Sequence, residues 1–278
     1  MEVTIASGCY ELDYKILLIS KYGEKHFCKK AGDVFSQRLL LINNVNDQNE
    51  VVKLAERAKQ SYLFDEYLWV SEIEEKAIES LGKRGVSRDS FREKNNLVGN
   101  IRKIKNGKKP SVYSDGYISS IPAICALYAC KTDYLLYLDD DAVLIGDTAD
   151  SFSWINDAIT IMEQDKRYVV ANPIWNKKYN EAKRESIYEL DNFYVSQGFS
   201  NQCFMVNAKR VRTEFDFNEK TNKKLVDKYP SYAGNCFERR FATYMYNHGL
   251  YRLTAKTSNY IHKDFTKNDS NYWLDLDL

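Results

Sequence analysis

Short apolar runs alternate along the chain with segments in which apolar residues recur every three or four positions. The runs at residues 3–6, 38–42, 66–70, 134–138 and 169–171 are brief, rich in β-branched or aromatic residues and bounded by polar positions, which predicts strands. Residues 51–61, 73–81, 117–129 and 152–163 have the helical period. This alternation predicts an α/β fold with a mostly parallel, mixed central sheet flanked by helices.

No repeat and no Pro/Gly/Ser-rich linker divides the chain, so we expect a single domain over residues 1–278. Within it we expect three segments, at residues 1–145, 146–265 and a tail at 266–278. The ligands of parallel α/β sheets bind at the carboxyl ends of the strands. The residues that follow each strand are therefore the first place to look for chemistry.

Charge and apolar content narrow the class of protein. Apolar residues make up 44% of the chain, and 40 basic side chains face 39 acidic ones, which excludes a globally basic nucleic-acid-binding protein. The longest apolar run has ten residues, whereas a membrane-spanning helix needs about 20. The first residues lack a basic and apolar leader, and six scattered cysteines suggest reduced thiols, so we expect a cytoplasmic protein.

The segment between Lys83 and Lys109 departs from this balance, with ten basic and two acidic side chains. It is either a solvated loop region or a basic surface for phosphates, those of a nucleotide or of anionic lipids. The second interpretation predicts peripheral contact with the cytoplasmic face of a membrane.

Three consecutive carboxylates follow the buried strand predicted at residues 134–138. Like charges at this distance repel one another, and a hard divalent cation with oxygen ligands offsets the repulsion. The D-x-D spacing places Asp139 and Asp141 on the same side of an extended chain. Asp139 and Asp141 could therefore share one Mg²⁺ or Mn²⁺, and Asp140 lies between them.

The strand ending in D-x-D resembles the motif of GT-A-fold glycosyltransferases, in particular the inverting family 2 and its relatives. The second half of the chain is similar to the same family: Glu238 stands near the start of a predicted helix, Gly249 follows eleven residues later, and His262 thirteen after that. The usual base in the family is Asp, so Glu at this position is a departure. The opening strand also lacks the family's usual turn.

The resemblance implies a metal-dependent, inverting and non-processive glycosyltransferase, which moves a sugar from a nucleoside-diphosphate sugar to a glycan or lipid-linked acceptor hydroxyl. A UDP-sugar is favoured as donor, with GDP- and dTDP-sugars as alternatives, and Mn²⁺ or Mg²⁺ as cofactor. It implies a nucleotide-binding half at residues 1–145 and an acceptor and catalytic half at 146–265. It implies Glu238 as the catalytic base and Asp139, Asp141 and His262 as metal ligands. The implied donor-binding residues are Ser7, Asn43, Asn44, Asp139 and Asp140, and the acceptor-binding residues are Trp175, Gln197 and Gly198.

Two other classes of function fit parts of the sequence. Asp139 to Val143 also match the D-x-D-x-V motif of haloacid-dehalogenase-type phosphatases, in which the first Asp is a nucleophile and Mg²⁺ is required. That motif normally lies on the first strand, whereas several strands precede it here. The third interpretation is a catalytically inactive module that binds a carbohydrate or a nucleotide.

Overall fold

A ten-stranded mixed sheet forms the centre of the molecule in the computed structural model, which describes residues 2–11, 13–81, 115–146, 149–219 and 237–262. The strands are β1 (Val3–Cys9), β2 (Gln37–Ile42), β3 (Glu66–Trp69), β4 (Tyr134–Leu138), β5 (Ala142–Leu144), β6 (Tyr168–Trp175), β7 (Tyr188–Leu190), β8 (Phe193–Ser196), β9 (Cys203–Asn207) and β10 (Tyr251–His262).

The strand order is β3-β2-β1-β4-β9-β6-β10-β8-β7, and β5 pairs with β10 outside this path. Strands β3, β2, β1 and β4 are mutually parallel, and β6 is parallel to β10. Strand β9 runs antiparallel to both β4 and β6, so β4, β6 and β10 share one direction. The carboxyl ends of β1, β2, β4, β6 and β10 therefore lie along one edge of the sheet, where the candidate site is built.

Nine α-helices lie in the described part of the chain: α1 (Tyr14–Ile19), α2 (Lys21–His26), α3 (Gln48–Gln60), α4 (Val70–Leu81), α5 (Asp115–Ala129), α6 (Ser153–Gln164), α7 (Tyr179–Glu185), α8 (Ala208–Glu214) and α9 (Phe237–Asn247). Two short 3₁₀ helices occupy Lys29–Val34 and Ala149–Phe152. None of the helices in these ranges is long and apolar enough to cross a membrane.

The sheet buries apolar side chains on both faces, as a sheet covered by helices on either side requires. Every residue of β1, β4 and β5 is buried. Helices α4, α5 and α9 contribute to one apolar cluster and α6 to another, while α1 and α3 cover the β1–β2 end. This packing holds the loops at the strand ends in fixed positions relative to one another.

The α/β fold with a mostly parallel mixed sheet is confirmed. Strands from both predicted halves share the one sheet, since β4 pairs with β9. Gly249 follows α9 at φ +62, the left-handed conformation that commonly ends a helix and that glycine adopts without strain. The basic segment from Lys83 to Lys109 and the tail at 266–278 lie outside the described residues.

Candidate active site

The acidic cluster forms a tight turn between β4 and β5. The backbone N–H of Ala142 donates to the carbonyl of Asp139 at 2.9 Å, which closes the turn. The N–H of Asp139 donates to the carbonyl of Gln202 at 2.8 Å, which ties the turn to the strand next to β4. The three carboxylates, from Asp139 to Asp141, are half-buried at the edge where the parallel strands end.

Strand pairing brings His262 to this turn. Strand β10 runs antiparallel to β5, with His262 opposite Ala142 and Ile261 opposite Val143. The Nε2 atom of His262 lies 2.9 Å from Oδ1 of Asp141. One ligand atom each from Asp139, Asp141 and His262 lies within 4.8 Å of the other two. The structure thus unites the three predicted metal ligands from opposite halves of the chain.

The chemistry of this triad fits a divalent cation. Oδ1 of Asp141 is buried, and Nε2 of His262 lies beside it at 2.9 Å, the distance of an ion pair or hydrogen bond. A cation bound by both groups would take the place of this contact, since a carboxylate and a neutral imidazole both offer lone pairs. Two carboxylates and an imidazole are ordinary ligands of Mn²⁺.

Electrostatic repulsion among the carboxylates also favours a bound cation at this turn. Burial and the neighbouring Asp141 carboxylate raise the pKa of Asp139 to about 7, and the same two causes raise the pKa of Asp140 to about 7. Burial lowers the pKa of His262, but the surrounding carboxylates raise it more, so the net direction is upward. A bound cation would remove the cost of ionising the acids.

Helix α2 supports the acidic turn from behind. The hydroxyl of Tyr22 donates to the carbonyl of Asp140 at 2.9 Å, and Nδ1 of His26 lies 2.7 Å from the carbonyl of Ala142. Both side chains are buried, and burial lowers the pKa of His26 to about 4, so its imidazole is neutral at pH 7. Neutral His26 thus donates from Nδ1, which fixes the backbone that presents the carboxylates.

The predicted base, Glu238, lies in the first turn of α9. The helix is anchored by Phe237 and Phe241, and Phe199 stacks on Phe241 with ring centroids 4.1 Å apart. Burial raises the pKa of Glu238 to about 7, although the positive charges of Arg239 and Arg252 lower it. A carboxylate with a pKa near 7 can take up and release a proton at neutral pH.

Glu238 belongs to the same electrostatic environment as the triad. Its negative charge contributes to the raised pKa of Asp139. Tyr260 is influenced by Glu238 as well, since burial raises the pKa of Tyr260 and the negative charge of Glu238 contributes to that shift. The Tyr260 hydroxyl donates to Oε1 of Gln202 at 3.3 Å, and the carbonyl of Gln202 accepts from Asp139. The predicted base and the metal ligands therefore share one electrostatic environment.

The predicted donor-binding residues lie at the ends of β1 and β2. The hydroxyl of Ser7 is fully buried and donates to the carbonyl of Gly8 at 2.9 Å, so it shapes the strand end from inside and offers no oxygen at the surface. Asn43 follows β2, half-buried, and its side chain hydrogen-bonds to Tyr10. Asn44 is exposed at φ +52. Donor contacts by Asn43 and Asn44 stay predictions.

The predicted acceptor residues lie at the ends of β6 and β8. Trp175 ends β6 half-buried, and the guanidinium of Arg252 lies over its ring, 5.6 Å from the centroid. Gln197 and Gly198 follow β8, where Gly198 has φ +119 and turns the chain towards the buried Phe199. Their role in acceptor binding stays a prediction.

Several supporting residues escaped the sequence analysis. Tyr22, His26, Gln202 and Arg252 carry no motif, and each reaches the site through pairing or packing with a distant part of the chain. Tyr10 had a local signal, since it directly follows the opening strand. Burial raises its pKa well above the usual range, and the charges of Asp139 and Asp140 add to that shift.

The fold of this chain is similar to those of several solved structures. No family model matches the chain, and no curated protein matches it either. A crystal structure of GalNAc-T7 with UDP, GalNAc and Mn²⁺ matches with a TM-score of 0.42 at 9% identity, over 94% of this chain and 43% of that one. The galactosyltransferase LgtC, in complex with donor and acceptor sugar analogues, matches with a TM-score of 0.41 at 14% identity, over 91% and 73%.

A third match is glucosyl-3-phosphoglycerate synthase from Mycobacterium tuberculosis in complex with Mn²⁺, UDP-glucose and phosphoglyceric acid. Its TM-score is 0.37 at 10% identity, and the match covers 75% of this chain and 57% of that one. The three matched proteins are glycosyltransferases, the class that the sequence motifs resemble. All three TM-scores lie below 0.5 and all three identities below 15%, so these matches assign no function to the chain.

Proposed function

We propose that the protein is a divalent-cation-dependent glycosyltransferase that uses a nucleoside-diphosphate sugar as donor. The convergence of Asp139, Asp141 and His262, with Glu238 in the same electrostatic environment, carries this proposal. A cation held by these three residues would supply positive charge to a departing diphosphate. A UDP-sugar is the favoured donor. Mn²⁺ is favoured over Mg²⁺ as the ion, because the site includes an imidazole.

In the proposed reaction Glu238 takes the proton of the acceptor hydroxyl. The acceptor oxygen forms a bond to the anomeric carbon of the donor sugar as the bond from that carbon to the diphosphate breaks. The proton ends on the Glu238 carboxylate and the electron pair of the broken bond leaves on the diphosphate. This single displacement inverts the anomeric configuration. The position of Glu238 at a helix N-terminus favours the ionised form that can accept the proton.

The other two interpretations account for less of the site. A haloacid-dehalogenase-type phosphatase would need Asp139 as a nucleophile, but that mechanism gives no role to His262 beside Asp141 or to Glu238. An inactive binding module would give no role to the half-buried carboxylate of Glu238, whose pKa burial raises to about 7. We therefore favour the transferase, acting on a glycan or lipid-linked acceptor in the cytoplasm.

A thermal-shift panel tests the donor and the metal together. UDP, GDP and dTDP are each added with Mn²⁺, with Mg²⁺ or with EDTA. A ligand at 100 times its Kd stabilises the folded state by about 2.7 kcal/mol. We expect stabilisation by one nucleoside diphosphate that requires the cation and disappears in Asp141→Asn. Stabilisation by none of them, together with phosphate release from a phosphomonoester, would support the phosphatase instead.

The matched variant Glu238→Gln tests catalysis. It keeps the size of the side chain and removes the proton acceptor, so nucleotide and metal binding should stay while sugar transfer falls by about 10²–10⁴-fold. Unchanged transfer by Glu238→Gln would exclude this residue as the base. Loss of nucleotide binding in the same variant would instead indicate a structural role.

A further inference from the structure

Arg252 is a buried cation with few partners. It lies on β10, paired with Ser196 of β8, and its side chain is 9% exposed. Its Nε atom has no hydrogen-bond partner within the described residues, and the one hydrogen bond it makes there joins Nη2 to Oε2 of Glu185 at 3.4 Å. Glu185 is itself 47% exposed. A guanidinium has five N–H donors, so most of the hydrogen-bonding capacity of Arg252 is unused.

This arrangement is costly unless something else binds there. Taking a cation out of water costs several kcal/mol, and only good ion pairs and hydrogen bonds offset that cost. A long contact to an exposed carboxylate is a weak one. On the next position of β10 facing the same way, Thr254 donates to Asn172 at 3.1 Å, so this neighbouring polar pair is satisfied.

The surroundings of Arg252 are arranged for a ligand. The guanidinium lies over the ring of Trp175, with Cζ 5.6 Å from the ring centroid. A guanidinium with unpartnered N–H groups can bind a planar or tetrahedral anion through two donors. The hydroxyl of Ser196, on the paired strand, is buried and also lacks a partner within the described chain. Glu238 lies close enough for the charge of Arg252 to lower its pKa, yet no ion pair joins the two residues.

We propose that Arg252, with Ser196 beside it and Trp175 beneath it, binds a negatively charged group on the acceptor sugar, a carboxylate or a phosphate. This proposal rests on the proposed function, because it places the acceptor hydroxyl at Glu238. It deepens that function by naming the acceptor class: an acidic saccharide, with an apolar ring face for Trp175 and an anion for the guanidinium. The segment after Ser196 is also where the sequence predicted acceptor contacts, at Gln197 and Gly198.

Matched pairs of sugars test the charge requirement. In the presence of UDP and Mn²⁺, dissociation constants are measured for glucuronate against glucose, galacturonate against galactose, and glucose 6-phosphate against glucose. We expect the charged member of at least one pair to bind about tenfold tighter or more than its neutral partner, as hydrogen bonds to charged groups allow. Equal binding within every pair, or no binding of any charged sugar, would overturn the proposal.

Variants of Arg252 show whether it is the source of that preference. Arg252→Met should abolish the preference for the charged sugar and leave the affinity for UDP with Mn²⁺ unchanged. Arg252→Lys keeps the buried positive charge but lacks the paired N–H donors of the guanidinium, and it should retain part of the preference. If Arg252→Met does not fold, Arg252→Lys and Ser196→Ala carry the test, and each should reduce the preference. The matched control is Arg57→Gln, an exposed arginine on α3.

The outcomes separate the two proposals. If UDP and Mn²⁺ fail to bind the wild type, the proposed function fails, whatever the sugars do. If they bind but Arg252→Met keeps the wild-type preference, only the assignment of Arg252 fails. If the variant instead weakens UDP-glucuronate relative to UDP-glucose while the free sugars are unaffected, the anion belongs to the donor, and the acceptor assignment is wrong. A purely structural arginine would change thermal stability without changing the preference.

Discussion

The Nε2 atom of His262 lies 2.9 Å from Oδ1 of Asp141, although the two residues come from opposite halves of the chain. The antiparallel pairing of β10 with the three-residue strand β5 creates this contact. The short strand therefore has a role beyond its size, because it carries the acidic turn on one side and receives the histidine on the other.

Removal of the imidazole should weaken metal binding. We expect His262→Ala to lower the affinity for Mn²⁺ by about tenfold or more and to reduce the preference for Mn²⁺ over Mg²⁺, since the remaining ligands are oxygens. Titration calorimetry with each ion measures both effects. Asp191→Asn removes an exposed carboxylate and serves as control. Equal Mn²⁺ affinity in His262→Ala and the wild type would exclude the histidine as a ligand.

Activity should rise with pH through neutrality. Glu238 must be ionised to accept a proton, and burial raises its pKa to about 7, so the ionised fraction grows between about pH 6 and pH 8. We expect kcat/KM to follow that rise in the wild type. A profile that is flat over this range, or one that falls, would contradict Glu238 as the base.

The carboxyl group of Glu238 should lower the free energy of unfolding at high pH. A folded-state pKa above the unfolded value of about 4.5 means that the folded protein binds the proton more tightly, so this contribution is present at low pH and is lost as pH rises through about 7. In EDTA at pH 8, Glu238→Gln should therefore be more stable than the wild type, by about 1–3 kcal/mol. Urea denaturation measures the difference, which should vanish near pH 4.

His26 should make the fold sensitive to acid in the opposite sense. Its folded-state pKa is about 4 against 6.5 unfolded, so the unfolded chain binds the extra proton and stability falls as pH drops from about 6.5 towards 4. Between pH 7.5 and 4.5 the wild type should lose about 2–3 kcal/mol more than His26→Asn. The difference between the two proteins cancels the contributions of the other acids. Parallel pH dependence in the two would contradict the assignment.

The hydroxyl of Tyr22 should matter for both stability and metal binding. Tyr22→Phe removes the donor to the carbonyl of Asp140 and should cost about 1 kcal/mol of unfolding free energy, with a severalfold loss of Mn²⁺ affinity. Tyr67→Phe is the matched control, because its hydroxyl donates to the exposed Glu56 away from the turn. Similar Mn²⁺ affinities for both variants would show that the turn does not need this support.

Features that depend on neighbouring residues could be predicted from the sequence, whereas features that depend on contacts between distant parts of the chain could not. Strand β4 and its acidic turn are local, so an apolar run followed by three aspartates was sufficient to predict both. Strand β10 is different: it carries Arg252 and Lys256 among its apolar residues, and its pairing partners β5, β6 and β8 all lie far away in sequence. The roles of Tyr22 and His26 were hidden for the same reason, since their partners are backbone carbonyls over 100 residues away.

Strand β10 also fixes the spacing between two residues of the candidate site. Arg252 stands near its start and His262 at its end, and the pairing with β6 changes register between Ala255 and Asn259. Side chains alternate between the two faces of a strand, so deletion of one residue within that irregular stretch would turn His262 away from Asp141 and leave Arg252 in place. The length of this one strand thus sets the separation of His262 from Arg252, and under the two proposals it would set the size of the sugar that fits between the metal site and Arg252.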